Sequence, residues 1–180
     1  MRTILIAFAL AVFPAAALRA PAQDPDIEDQ LAAAVTLLRA GALVEEDPAE
    51  GVIRRVSLSG LKGVDELLKH VKMQPSLERL ELAGTDVTDK GLEKIKGLKK
   101  LRFLNLASTK VGDNGLEHLK DMQALSQVSL FGTQVSDKGL EKLQGLSGLR
   151  LVIVKETQVT RTGADAFYKA MPKVMVVGPK

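Results

Sequence analysis

The sequence predicts an α/β solenoid, built from a repeated unit of one short strand and one helix. Leu77, Leu101, Leu125 and Leu149 each begin a segment with the same apolar pattern, at a constant spacing of 24 residues. Within each segment, alternating apolar residues are typical of a half-buried strand, and apolar residues at helical spacing follow them. Because one such unit is too small to bury both its strand and its helix, the units must stack on one another.

Residues 1–22 have the three parts of a secretory signal peptide. Met1 and Arg2 make a basic start, an apolar run of about ten residues follows, and "APA" at 20–22 is an Ala-x-Ala cleavage motif. The alternative is an uncleaved anchor, but the run is shorter than the roughly 20 apolar residues of a membrane-spanning helix. We therefore predict cleavage after Ala22, export to the periplasm, cell envelope or medium, and no membrane span in the mature chain.

The charge of the mature chain argues against a nucleic-acid partner. The full sequence has 25 Lys plus Arg and 22 Asp plus Glu. Removing the signal peptide takes away Arg2 and Arg19, which leaves 25 − 2 = 23 basic residues against 22 acidic ones. Because the mature chain is nearly neutral, the basic character of the full sequence is poor evidence for a nucleic-acid partner, and we expect none. The chain also has no cysteine, which excludes disulfides, cysteine metal sites and lipoprotein-type lipid attachment.

The four aligned segments open with "LERLELAGTDV", "LRFLNLASTKV", "LSQVSLFGTQV" and "LRLVIVKETQV". A weaker copy, "IRRVSLSGLKG", starts at Ile53. On these residues the chain resembles leucine-rich-repeat proteins, specifically the exported bacterial type with the motif T-x-V-[ST]-D-x-G-L, which is similar to the ribonuclease-inhibitor-like group. The resemblance covers roughly residues 26–177. It implies a short right-handed arc in which parallel strands form a concave sheet and helices cover the convex side.

This organisation divides the chain into four parts. Residues 1–22 are the signal peptide, and residues 23–52 form an N-terminal capping helix and a turn, with Leu31, Val35 and Leu38 at helical spacing. Residues 53–172 are the repeats, which start near 53, 77, 101, 125 and 149. Residues 173–180 form a C-terminal edge strand and tail, where Pro179 is expected to discourage further strand pairing.

One threonine follows the strand of each complete repeat. These residues are Thr85, Thr109, Thr133 and Thr157. At this point the chain turns inward, so a buried hydroxyl stacked over the next repeat can pair with exposed backbone groups, at about 1 kcal/mol net for each bond. We interpret the four threonines as a structural ladder.

An acidic residue occupies one position of three successive repeats. The three acids are Asp89, Asp113 and Asp137. A column of carboxylates is a possible calcium site, because calcium prefers oxygen ligands. The other hypothesis is helix capping, since the residues before this position are Thr88, Gly112, Ser136 and Thr160, all favoured N-cap types. Arg161 replaces the acid in the last repeat while Thr160 remains, which favours capping, and we expect no metal and no cofactor.

Catalytic signatures are missing from the sequence. His70 and His118 fall in different repeats, and no nucleophile elbow, H-E-x-x-H or phosphate-binding glycine motif is present. We do not expect an enzyme.

The strand residues that point away from the helices vary from repeat to repeat, which favours a binding role. The predicted partner-binding residues are Arg55, Arg79, Glu81, Phe103, Asn105, Gln127, Ser129, Phe131, Leu151, Ile153 and Lys155. Charged residues come first and apolar ones later, and an apolar patch with a polar rim is typical of a protein or peptide partner. Three alternatives remain: apolar residues that simply favour strands, a cell-envelope polysaccharide site, and a self-associating structural protein. The absence of Trp and the single Tyr disfavour the polysaccharide.

Overall fold

A computed structural model describes residues 25–179, which form one seven-stranded sheet with helices on one side of it. The helices are α1 (Pro25–Arg39), α2 (Val64–Val71), α3 (Asp89–Ile95), α4 (Asp113–Leu116, continued by a 3-10 turn at Glu117–Leu119), α5 (Asp137–Glu141) and α6 (Arg161–Ala170). The strands are β1 (Leu43–Asp47), β2 (Val52–Ser57), β3 (Arg79–Glu81), β4 (Phe103–Asn105), β5 (Gln127–Ser129), β6 (Leu151–Ile153) and β7 (Met175–Val177). The predicted signal peptide at 1–22 lies outside the described residues. Within the described range, no helix has both the length and the apolar character needed to cross a membrane.

The strands from β2 to β7 are parallel and share one register. Leu80 lies opposite Leu104, which lies opposite Val128, and each of these residues is buried at the centre of its strand. The residues on either side of them are half-buried or exposed on the opposite face. Because a shift of one residue would exchange the two faces of a strand, the constant 24-residue spacing holds the apolar side chains on the helix side. This arrangement confirms the predicted α/β solenoid.

The N-terminal edge of the sheet differs from the prediction. Residues 45–51 were expected to form a turn, but the chain is extended as far as Asp47, and β1 pairs antiparallel with β2. Glu45 lies opposite Arg55, and a bulge follows between Glu45 and Glu46. The sheet is therefore parallel except at this edge, where β1 covers the first repeat strand.

Helix α1 covers the first repeat through a face that the sequence pattern did not indicate. Its buried residues are Ala33, Ala34 and Leu37. Leu31, by contrast, is 41 % exposed, and Val35 and Leu38 are half-buried. The small alanines allow α1 to approach the core closely, and the Gln74 side chain donates a hydrogen bond to the Gln30 carbonyl over 2.9 Å.

The C-terminal end is closed on the helix side by α6. Ala164 and Phe167 are buried, and Met171 packs against the same core. After α6, the buried Val174 leads the chain into β7, which forms the C-terminal edge of the sheet.

Candidate binding face of the sheet

The constant spacing of the threonines reflects bonds within one repeat. Each hydroxyl donates to the carbonyl oxygen three residues earlier, over 2.7 Å in every case. The four pairs are Thr85 with Leu82, Thr109 with Leu106, Thr133 with Leu130, and Thr157 with Val154. These bonds close the turn after each strand, and each hydroxyl pairs with a backbone group of that turn, as the structural interpretation of the threonines expected.

The aspartates, in contrast, link neighbouring repeats. The Asp113 carboxylate accepts hydrogen bonds from the Ser136 backbone N–H over 2.7 Å and from the Ser136 hydroxyl over 2.6 Å. Asp89 accepts the backbone N–H of Gly112 over 2.8 Å. The same acceptor role belongs to Asp65 toward Thr88 and to Asp137 toward Thr160. Asp65 lies 24 residues before Asp89, so extending the repeat alignment upstream would have found it.

The capping hypothesis therefore predicts correctly where the helices begin, but not which hydrogen bonds most of the cap side chains make. The helices α3 to α6 begin directly after Thr88, Gly112, Ser136 and Thr160, as predicted. Of these four helices, however, α6 alone has a side-chain cap bond, in which the Thr160 hydroxyl accepts the Gly163 N–H over 3.0 Å. The hydroxyls of Thr88 and Ser136 donate to the preceding aspartate instead. The carboxylates of the calcium hypothesis are thus hydrogen-bonded to the next repeat.

The glycine of each motif makes room for the carboxylate of the preceding repeat. A Cβ atom at Gly139 would overlap the Asp113 carboxylate and the Val135 side chain. Equivalent overlaps would occur with Asp65 at Gly91, with Asp89 at Gly115 and with Asp137 at Gly163. The preceding repeat therefore approaches each of these glycines closely, through the carboxylate of its aspartate.

The predicted binding residues lie in three rows across the concave face, by which we mean the sheet face opposite the helices. The first row is Glu45, Arg55, Arg79, Phe103, Gln127, Leu151 and Met175. The second row is Leu43, Ser57, Glu81, Asn105, Ser129, Ile153 and Val177. The third row follows the strands and contains Ser59, Ala83, Ala107, Phe131 and Lys155.

The N-terminal half of this face is a compact charged network. The Arg55 guanidinium lies 3.0 Å from the Glu45 carboxylate and 3.8 Å from that of Glu81. Arg79 lies 3.8 Å from Glu81, and its guanidinium carbon stands 3.9 Å from the centre of the Phe103 ring. Two cations and two anions therefore neutralise each other, and a cation–π contact occupies one face of the Phe103 ring. Phe103 belongs to the charged half, not to the apolar patch.

Other polar residues of the face also bond within their own segments. The Asn105 side-chain oxygen accepts the Ala107 backbone N–H over 3.0 Å. The hydroxyls of Ser57 and Ser59 lie 3.2 Å apart. Gln127 is exposed to solvent between this region and the C-terminal half.

The C-terminal half of the face is apolar. We call Phe131, Leu151, Ile153, Met175 and Val177 the apolar patch. Met175 is 65 % exposed, and the other four are half-buried. Met175 and Val177 were not among the predicted binding residues, although adding the 24-residue period to Leu151 and Ile153 leads directly to them.

Residues 74–96 and 97–120 match the family model described as leucine-rich repeat. Over these two repeats the chain is similar to leucine-rich-repeat proteins, and its fold is an α/β solenoid of that kind. No curated protein matches the chain in sequence.

Solved structures of this fold include bacterial leucine-rich-repeat proteins. An internalin from Listeria monocytogenes superposes with a TM-score of 0.54 at 20% identity, over 63% of this chain and 31% of that one. A leucine-rich-repeat protein from Leptospira interrogans gives a TM-score of 0.50 at 19% identity, over 61% and 27%. Internalin C2 from Listeria monocytogenes gives 0.57 at 19% identity, over 94% and 66%. The chain therefore spans less than a third of the first two structures, and the likeness is one of fold.

Proposed function

We propose that this leucine-rich-repeat solenoid is a non-catalytic module that binds a protein or peptide on the concave face of its sheet. Repeat solenoids commonly use such extended concave surfaces for binding. The observation that carries the proposal is the division of the face into a self-neutralised charged half and an apolar patch. An apolar patch of this kind beside polar groups is a typical interaction site.

The two halves of the face have different roles in this proposal. The patch residues Leu151, Ile153 and Met175 offer side chains that lose unfavourable contact with water when a partner covers them. The network of Arg55, Glu81 and Arg79 is already paired, so it favours polar partner groups that leave its bonds intact and sets the orientation of the partner.

A protein or peptide fits this surface better than a polysaccharide does. Sugar binding favours several flat aromatic rings beside polar groups, but the patch has one aromatic residue, Phe131. The second large ring on the face, Phe103, is occupied by Arg79.

The proposal is tested by selecting peptides from a random display library on the purified protein and measuring their affinities by calorimetry. We expect the selected peptides to be rich in apolar residues. Phe131→Ser and Ile153→Thr should each weaken binding at least about tenfold, because each removes an apolar contact worth roughly 1.5–3 kcal/mol.

Tyr168→Ser is the matched control, because it removes a large side chain that is 55 % exposed on α6, away from the concave face. Its affinity for the selected peptides should equal that of the wild type. Equal losses in all three variants, or none in the two patch variants, would contradict the proposal.

We further propose that the protein is exported and belongs to the exported bacterial type of leucine-rich-repeat protein. The basic start, apolar run and Ala-x-Ala motif of residues 1–22 support this. When the full chain is expressed in bacteria, the mass of the exported form should correspond to a chain that begins at Gln23. A full-length product confined to the cytoplasm would contradict export.

A further inference from the structure

Strand β7 leaves one side of its backbone without a strand partner. The Met175 N–H donates to the Arg150 carbonyl, and the Val177 carbonyl accepts the Val154 N–H, both over 2.8 Å. Met175 and Val177 thus direct their backbone groups toward β6, and the intervening residue, Val176, directs its N–H and C=O toward the outer edge. No other strand among residues 25–179 pairs with that edge.

The two edges of the sheet differ in chemistry. At the N-terminal edge, β1 carries Glu45, Glu46 and Asp47 and is interrupted by a bulge. Charged residues and bulges are the usual means by which a sheet edge avoids pairing with another chain. At the C-terminal edge, Met175–Val177 is entirely apolar and has no bulge.

A second molecule stacked as one more repeat does not fit the C-terminal end. Each inner joint requires an aspartate that accepts the N–H of the next helix start, as Asp137 does for Thr160. Arg161 stands at this position in the last repeat and cannot act as an acceptor. The acidic, bulged β1 of a second molecule is also a poor partner for the edge, so head-to-tail association is disfavoured.

We propose that β7 pairs with β7 of a second copy of this chain, antiparallel and across a two-fold axis at Val176. Val176 then faces Val176 of the second copy and exchanges both N–H···O=C bonds with it, as hydrogen-bonded antiparallel pairs do. The Val174 carbonyl and the Gly178 N–H also point toward the outer edge, like the backbone groups of Val176. The Val174 carbonyl of each copy therefore accepts the Gly178 N–H of the other copy. The interface uses one surface twice and is closed, so it yields a dimer and not a filament.

This dimer joins the apolar patches of the two copies. Met175 of one copy lies beside Val177 of the other on the concave face, which makes a continuous apolar surface across the axis. On the helix side, no helix follows β7 within the described residues, so the width of the β7 pair separates the two α6 helices. Pro179 was expected to discourage strand pairing at this edge. It lies beyond the edge-facing groups of Val176, so it does not obstruct the pairing of the two Val176 residues. The dimer is independent of whether the concave face binds a partner.

Sedimentation equilibrium of the purified protein measures the dimer directly, with Val176→Pro as the test variant and Val176→Ala as its matched control. Proline removes the edge N–H and is tolerated on an edge strand, whereas alanine shortens the same side chain and keeps the N–H. We expect a wild-type dimer, a dimer constant weakened at least about tenfold by proline through the loss of two hydrogen bonds, and a smaller effect of alanine. A monomeric wild type, or equal effects of the two variants, would overturn the proposal.

A register-specific crosslink keeps the proposal testable if the proline variant does not fold. Cysteine is absent from the chain, so introduced thiols are unique. In the proposed register, position 175 of one copy faces position 177 of the other in a non-hydrogen-bonded pair, whose Cα separation of about 4.5 Å suits a disulfide. A mixture of Met175→Cys and Val177→Cys should therefore oxidise to the mixed dimer faster than either variant alone forms its own dimer. Equal rates for the mixed and the single-variant dimers would refute this register.

Discussion

At the scale of single residues, the turn after each strand requires a left-handed backbone. Gly84 and Gly132 adopt φ values of 67° and 63° there. Ser108 and Glu156, at the same position of their repeats, have φ values of 55° and 56°. A non-glycine residue in this region is strained by roughly 1–2 kcal/mol, because its Cβ approaches the following carbonyl oxygen. Two turns of the solenoid therefore contain strain that glycine relieves in the others.

Ser108→Gly and Glu156→Gly should each raise the free energy of unfolding by about 0.5–1 kcal/mol, since relief of strain exceeds the greater freedom of glycine in the unfolded chain. Urea denaturation measures the change. Gly97→Ala is the control, because Gly97 is not among the residues with positive φ and a Cβ there meets nothing within 4 Å. Alanine at 97 should be neutral or stabilising, and a loss of stability in both glycine variants would contradict this reading of the turn.

At the scale of the elements, consecutive repeats are joined by an aspartate of one repeat and the helix start of the next. The Asp113 carboxylate bonds both polar groups of Ser136 and lies where a Cβ of Gly139 would stand. The acceptor and the missing side chain are thus two parts of one contact, although they belong to different repeats.

Asp113→Ala and Gly139→Ala should each lower the free energy of unfolding by about 2 kcal/mol, the first through lost bonds to a charged group and the second through overlap. The double variant should lose less than the sum, because removing the carboxylate makes space for the new methyl group. A double-mutant cycle in urea measures this coupling. Losses that add to within about 0.5 kcal/mol would show that the two residues act independently.

Helix α2 is capped from the next repeat. Its N-cap, Gly63, has no side-chain cap bond, and the Asp86 carboxylate accepts the N–H groups of Gly63 and Val64 over 2.9 and 3.1 Å. These bonds, first that of Gly63 and then that of Val64, lower the pKa of Asp86 below its ordinary value of 3.8.

A lowered pKa in the folded state stabilises the protein above the ordinary pKa, and this contribution disappears as the pH falls through the lowered value. Asp86→Asn should therefore reduce the unfolding free energy most at neutral pH, and the difference from the wild type should shrink below pH 3.8. Urea denaturation at pH values on both sides of 3.8 measures the difference. A difference that does not change with pH would rule out this role for Asp86.

At the scale of the whole molecule, the fold was predictable because every repeat must solve the same packing problem. The 24-residue spacing determined the parallel register, and with it which residues share the concave face. Strand β1 was not predictable in this way, because it pairs antiparallel and has no counterpart one period away. The partner of Asp113 was missed for a different reason: its motif was interpreted within one repeat, but the bond crosses to the next.

The candidate site shows the same limits of the sequence. Phe103 and Phe131 are both phenylalanines on the concave face, but their surroundings differ because Arg79 lies beside Phe103 in the first row. The register could have indicated this, since Arg79 precedes Phe103 by one period. The approach of the guanidinium to the ring, however, depends on side-chain conformation, which a pattern of residue types does not specify.

Arg161 stands where the last repeat would have its aspartate, one period after Asp137, and this affects how repeats could be added to the solenoid. Each inner repeat provides an aspartate that accepts hydrogen bonds from the next repeat. It also has a glycine that leaves space for the aspartate of the preceding repeat. The Arg161 side chain has no hydrogen-bond acceptor, so the final repeat has the glycine of this contact but not the aspartate. A longer solenoid would consequently be made by duplicating an inner segment such as residues 113–136, leaving the terminating repeat at the end. A repeat added after the last one would have no aspartate to accept the hydrogen bonds of its helix start.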